Sequence, residues 1–179
     1  MSEISVRALG EEDWQEYREI RLEALKESPE AFVATHDEES GYEEDRWRDR
    51  MNRSRRLLAL VDDVPTGVVS VGRSKTGPDV AELFGLWVRP DARGTGVAWR
   101  LVEAGAQQAR EDGRTHLAYW VGTDNGRAVA FASSFGFRPT ENRRPMRVQS
   151  ADGDGEETEI AMVLPLGSDP GAVPSSLLH

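Results

Sequence analysis

Apolar and polar positions alternate in some stretches of this chain and recur at helical spacing in others. Ile4, Val6 and Ala8 alternate with polar neighbours, which predicts a strand over residues 4–9. Glu11, Glu12 and Asp13 follow, acids that suit the positive end of a helix. Trp14, Tyr17, Arg21, Ala24 and Leu25 then fall on one helical face, and Ser28-Pro29 ends it. Residues 29–41 read as a loop, followed by a short helix through Trp47 and Met51. The apolar run 57–61, a turn through Asp62-Asp63 and Pro65-Thr66-Gly67, and Val68, Val69 and Val71 make a hairpin. A turn at 75–78 leads into a strand over 81–88. A helix opens at Val97, with Leu101, Val102 and Ala104 in register, and ends near Gly113. Residues 116–121 form the next strand. Asp124 or Asn125 caps a helix that Gly136 ends, and Phe137 begins a strand. Residues 146–150 and 157–166 read as a closing hairpin around the turn SADGDGEE. The order is β-α-α-β-β-β-α-β-α-β-β, an α/β domain with a mixed sheet over residues 1–166. Residues 167–179 read as a poorly ordered tail.

The chemistry concentrates where the strand over 81–88 hands over to the following helix. Phe84, Leu86, Trp87 and Val88 suit a buried strand, and Pro90 stops it. Gly94 and Gly96 permit sharp turns and a close approach of ligand to backbone. Free N–H groups at a helix opening attract anions, and Arg93 adds a charge beside them. This is the makeup of a phosphate cradle. It is not a P-loop, because Val97-Ala98 stands where Lys-Ser/Thr is needed. It is not a dinucleotide fingerprint, because Trp99 stands at the third glycine. The bland alternative is an ordinary glycine-rich strand-to-helix turn. What fits is R-x-x-G-x-[GA], with Arg93, Gly96 and Ala98, which resembles the acetyl-CoA-binding motif of the GCN5-related N-acetyltransferase (GNAT) superfamily. A second stretch, Asn125, Ala128, Phe131, Gly136 and Phe137, resembles the later pattern N-x-x-A-x-x-F-Y-x-x-x-G-F of the same family. It departs at one position, with Ala132 where the family usually carries tyrosine.

The resemblance covers residues 4–166 and implies a GNAT-like fold, a mixed, mostly antiparallel sheet flanked by helices. It implies that the turn Arg93, Gly94, Thr95, Gly96, Val97 and Ala98 holds the CoA pyrophosphate. Main-chain groups around Leu86, Trp87 and Val88 would pair with the pantetheine, and Asn125, Ala128 and Phe131 would help position it. Glu82 is the candidate base, its alternative being a structural carboxylate paired with an arginine. Phe32, with Glu82, is a candidate for acceptor contact, as are His36, Asp37, Glu38 and Glu39; their alternative is a solvated acidic loop. Arg21 either holds a carboxylate near the site or pairs with a structural acid. Tyr119 or water is the candidate proton donor to the leaving thiolate. The implied reaction is direct transfer of acetyl from acetyl-CoA to a primary amine, on a small molecule or a peptide. The alternative is a non-catalytic acetyl-CoA sensor or interaction domain.

Composition narrows this further. With 179 residues the chain is long enough for one domain with a sizeable core. It has no cysteine, which excludes disulfides and a cysteine nucleophile, and its three histidines give little basis for a zinc site. No metal is therefore expected. The net charge of -10 disfavours nucleic acid and suits a cationic acceptor, or serves solubility alone. No apolar run is long enough to cross a membrane and MSEISVRALG lacks a signal core, so a cytoplasmic protein is expected. A homodimer through an otherwise unprotected sheet edge is a further expectation.

Overall fold

The computed structural model describes residues 3–74, 77–145 and 158–167. The elements are β1 (Ile4–Leu9), α1 (Trp14–Glu27), α2 (His36–Ser40), α3 (Glu44–Arg53), β2 (Arg55–Val61), β3 (Val64–Arg73), β4 (Val80–Val88), α4 (Val97–Glu111), β5 (His116–Gly122), α5 (Gly126–Phe135), β6 (Arg138–Pro145) and β7 (Thr158–Pro165). The seven strands are ordered β1-β2-β3-β4-β5-β7-β6. β4 and β5 are parallel, while β1–β2, β2–β3, β5–β7 and β7–β6 are antiparallel. This is the mixed, mostly antiparallel sheet that the sequence predicts. The chain forms two compact units, one of Met1–Gly72 with Phe84–Gly105 and one of Arg73–Leu83 with Ala106–His179, and β4 runs from one into the other.

In the first unit, α1 buries Tyr17, Ile20, Ala24 and Leu25 against Trp47 and Met51 of α3, Leu58 of β2, Val68 of β3 and Trp87 of β4. That is the apolar stripe of the sequence turned inward. Two local readings are corrected. The stretch 29–41 is not all loop: a single 3-10 turn, Pro29–Ala31, precedes the five-residue α2. The Thr35 hydroxyl caps α2 by accepting from the Glu38 N–H at 3.1 Å, and Glu39 at its far end is 3% exposed. A polar helix held by ion pairs leaves no apolar period to read. The hairpin turn is also tighter than expected. Asp62 and Asp63 take left-handed backbone (φ 50 and 67), β3 begins at Val64, and Pro65 lies within it. A register shift at Ala59/Leu60 accommodates the proline.

In the second unit, β4 and β5 pair over four residues, Val80–Leu83 with His116–Tyr119. The Asn125 side chain caps α5 by accepting from the Ala128 N–H at 3.1 Å, and Gly136 closes it with φ +123. β6 follows at once. The strand expected at 146–150, its whole turn, and residues 168–179 of the expected tail lie outside the described residues. The outer edge, β6, carries Pro139 and Pro145, exposed arginines and a register irregularity. Prolines, exposed charges and bulges are features that discourage edge-to-edge pairing. Among the described residues no helix is long and apolar enough to cross a membrane, and no group of three His, Asp or Glu is placed to hold a metal.

Candidate functional site

The turn after β4 is built by backbone conformation. Pro90–Ala92 make one 3-10 turn, then Gly94 (φ +81) and Gly96 (φ +94) reverse the chain twice before α4 begins. A Cβ on either glycine would meet nothing within 4 Å, so the requirement is for left-handed backbone and not for space. The hydrogen bonding of α4 starts with the Arg100 N–H donating to the Gly96 carbonyl at 3.1 Å. The amides that open the helix have no carbonyl one turn back within it. Free amides and the positive end of a helix are the features that attract an anion in general.

The side chains around this turn brace it. Arg93 donates from Nε to the Val88 carbonyl at 3.0 Å and from Nη2 to the Ser28 hydroxyl at 3.4 Å. The Thr95 hydroxyl donates to the Ala92 carbonyl. Arg89 donates to Glu23 at 2.6 and 2.8 Å, a bond that raises its pKa above the ordinary arginine value. The side chains of Trp87 and Val97 are core, so these two positions offer a ligand only main chain. A cleft of about 480 Å³ beside the turn is lined by Val61, Val64, Thr66, Arg89, Asp91 and Thr95.

Three guanidiniums gather near the α1–α3 face of the first unit. Arg21 donates from Nε and Nη2 to the two Glu39 oxygens, both at 3.0 Å, and Arg50 donates to Glu39 at 2.8 Å. Arg56 donates to the Arg50 carbonyl at 3.2 and 2.9 Å and to the Ser70 hydroxyl at 2.7 Å. Burial pushes the Glu39 carboxyl up, but the hydrogen bonds and charges of Arg21 and Arg50 outweigh it and hold the pKa below the usual value. Burial pushes Arg21 down, and its hydrogen bond to Glu39 together with the charges of Tyr17, Glu39 and Tyr42 outweighs that. Among the described residues Arg56 donates to no carboxylate: burial is the largest effect and lowers its pKa, Tyr17 raises it, the Arg50 and Arg21 charges lower it, and the Glu39 charge raises it, with a net lowering. Phe32 lies under Arg21, ring centroid 4.8 Å from the guanidinium carbon. Of the loop acids singled out in the sequence, Glu39 is therefore a buried tie. Glu38 accepts from Thr35, and Asp37 lies 3.8 Å from His36 at the surface.

In the second unit, the registers Glu82↔Ala118 and Leu83↔Tyr119 put Glu82 and Tyr119 on opposite faces of the β4–β5 pair. Glu82 lies 3.7 Å from Arg144, which also donates to Glu159 at 3.1 and 3.2 Å and stacks over Trp120 at 4.1 Å. Arg144 and Trp120 carried no signal in the sequence. Arg144 sits in the polar run of an edge strand and meets Glu82 only through β7 and β5. Tyr119 packs edge-on against Phe137, centroids 6.1 Å apart, and burial raises its pKa. Ala132 is wholly buried, and its carbonyl accepts from the N–H groups of Gly136 and Phe137. Ser133 and Ser134 are exposed, and Ser134 donates to the Phe131 carbonyl at 2.8 Å.

The profile of the Acetyltransferase (GNAT) family matches residues 11–137. The uncharacterized N-acetyltransferase MJ1207 of Methanocaldococcus jannaschii is 35% identical over 63 residues, 35% of this chain and 28% of that protein. The match thus spans less than a third of that relative. Among solved structures, the putative acetyltransferase yncA of Salmonella typhimurium, determined with its cofactor acetyl-CoA, superposes with a TM-score of 0.69 at 22% identity over 93% of this chain and 95% of its own. A GNAT acetyltransferase of Streptococcus pneumoniae gives 0.74 at 18% identity over 91% and 99%. The ribosomal-protein-S18-alanine N-acetyltransferase of Escherichia coli gives 0.66 at 20% over 92% and 95%.

Proposed function

The chain belongs to the acetyltransferase (GNAT) family, and on that premise we propose that it transfers acetyl from acetyl-CoA directly to a primary amine. The observation that carries the reading is the double glycine reversal at the opening of α4, with φ +81 and +94 at Gly94 and Gly96. The residues present fit a pyrophosphate there: turn amides, the positive end of a helix, and Arg93 close by. In this reading the turn 93–98 anchors the cofactor. Main chain past the last β4–β5 pair, at Leu86 and Val88, receives its pantetheine arm. Bound acetyl-CoA supplies the thioester.

Glu82 takes the proton from the attacking amine, directly or through water. Arg144 holds its carboxylate in place while leaving it 17% exposed. No cysteine is available for an acyl-enzyme, which agrees with direct attack. The leaving thiolate takes its proton from water. An ordinary thiol has a pKa of about 8.5 and an ordinary tyrosine about 10, so a phenol is already the weaker acid, and burial weakens Tyr119 further.

Binding without transfer is the second reading, favoured by Ala132, which brings no hydroxyl to the family's tyrosine position. Calorimetry with acetyl-CoA and free-CoA release with a panel of amines separate the two. Micromolar binding with turnover on some amine supports the transferase. Binding with no turnover on any amine supports the sensor, and no binding removes both.

A further inference from the structure

We propose that the guanidinium cluster of Arg21, Arg50 and Arg56 receives a carboxylate of the acceptor, so that the acceptor is an amino carboxylate and not a simple amine. The inference rests on the transferase reading for the word acceptor; the cluster itself stands on its geometry.

Arg21 and Arg50 share one carboxylate, Glu39, and among the described residues no acid is hydrogen-bonded to Arg56. Tying α1, α2 and α3 together needs one carboxylate and two arginines. Arg21 and Arg50 already meet that need at 3.0 and 2.8 Å. Arg56 adds a third charge that is 5% exposed and donates only to neutral oxygens of Arg50 and Ser70. An arginine does not escape this by losing its proton, since a guanidinium stays protonated far above neutral pH. Burying like charges together costs stability unless an anion joins them. The chain as a whole is strongly acidic, net -10, so a buried excess of positive charge runs against its own composition and does nothing for solubility.

The surroundings suit a small organic anion. Arg21 and Arg50 are each 15% exposed, so solvent reaches the cluster. Phe84 of β4 is 39% exposed, with its ring 5.7 Å from the Arg56 guanidinium. Phe32 lies below Arg21. Glu39 engages Nε and Nη2 of Arg21, and Nη1 lies 4.0 Å from where a Cβ on Gly85 would stand. Gly85 is the β4 residue next to Leu86, whose main chain is assigned above to the pantetheine. A carboxylate on Arg21 and Arg56 therefore lies beside the strand that presents the thioester. Guanidinium forks match planar carboxylates in particular.

The test is a matched acceptor panel with the whole protein: the common amino acids, their primary amides, and the same amines without the carboxyl group. Calorimetry with the N-acetylated amino acids accompanies it. The best amino acid should exceed its amide in kcat/KM by about 10–100-fold, the worth of a charge-assisted hydrogen-bonded pair. R56M should bring that ratio toward one through KM. R21K, which keeps charge and loses the fork, should lower it less. Amides or simple amines accepted as well as the acids overturn the inference and leave the transferase standing. No turnover on any amine, with acetyl-CoA still bound, removes the transferase. The calorimetry then decides: N-acetyl amino acids that bind the wild type and not R56M support the carboxylate site, and their failure to bind overturns it. Should R56M not fold, the wild-type ratio and its change in R21K decide in its place.

Discussion

In the readings proposed above, the turn after β4 and the guanidinium cluster under α1–α3 are two ways of binding an anion. The turn does it with main chain. Its geometry comes from the conformations of Gly94 and Gly96 within a few residues of each other. The cluster does it with side chains brought from α1, α3 and β2, around a carboxylate on α2. A backbone site costs no buried charge and is specified locally. A side-chain site needs the packed core first and must balance its charges afterwards.

The largest expected effect breaks the first site alone. Gly96→Trp sets a bulky side chain at the helix opening and asks φ +94 of a residue with a Cβ, a strain of about 1–2 kcal/mol. Nothing lies within 4 Å of that Cβ, so the domain should fold. Acetyl-CoA binding should vanish in calorimetry, and a folded variant with unchanged affinity would misplace the cradle. Next comes Glu82→Gln, which should lower kcat by about 10²–10⁴-fold with acetyl-CoA affinity intact. An active variant with the wild-type pH–rate profile leaves Glu82 only its tie to Arg144.

The difference between the two sites also explains what could be read beforehand. Glycines at 94 and 96 between an apolar run and a helical period spell out the turn, and Asn125 and Gly136 mark both ends of α5. The strands follow from alternation at residues 4–9 and from apolar runs such as 57–61. The cluster was out of reach. Arg56 looks like the polar start of an apolar strand, and Arg50 like one of several arginines on a charged helix. Only Arg21 stood out, an arginine on an apolar stripe, and its structural partner Glu39 lay in a segment without periodicity. Arg144 escaped for the same reason, since its meeting with Glu82 depends on β7 lying between β5 and β6.

Removing the anion already in the cluster sharpens the contrast. Glu39→Gln leaves the guanidiniums without their carboxylate and should cost roughly 3–5 kcal/mol in denaturant unfolding, the range for breaking a buried ion pair. The Glu39 pKa is depressed in the folded chain, so its contribution is present above the ordinary value of 4.5 and is lost as pH falls through the lower folded value. The variant should lack that acid-side decline, and a wild-type-like acid limb would deny Glu39 its role. A smaller effect is expected of Ala132→Tyr. Ala132 is 0% exposed, so the larger ring should overpack α5 by about 1–3 kcal/mol. A thermal scan reads this. A variant as stable as wild type with a higher kcat would mean that the family's tyrosine site is intact here after all.

The smallest effect is expected of Tyr119→Phe. The phenol faces away from Glu82 and its ring packs on Phe137, which phenylalanine preserves. With water protonating the thiolate, kcat should change by less than the roughly 100-fold that a working general acid contributes, and acetyl-CoA affinity should hold. A loss of that size would return the donor role to Tyr119. Stability at high pH offers an independent reading. Burial raises the folded pKa of Tyr119 above the ordinary 10.0. The unfolded chain therefore ionises first, and stability that is complete below 10.0 is lost as pH rises toward the folded value. Phenylalanine cannot ionise, so the variant should keep more of its stability above about pH 10 than the wild type does. Parallel alkaline unfolding curves for the two proteins would show that Tyr119 is not buried as described, and with that the argument against it as proton donor would lose its basis.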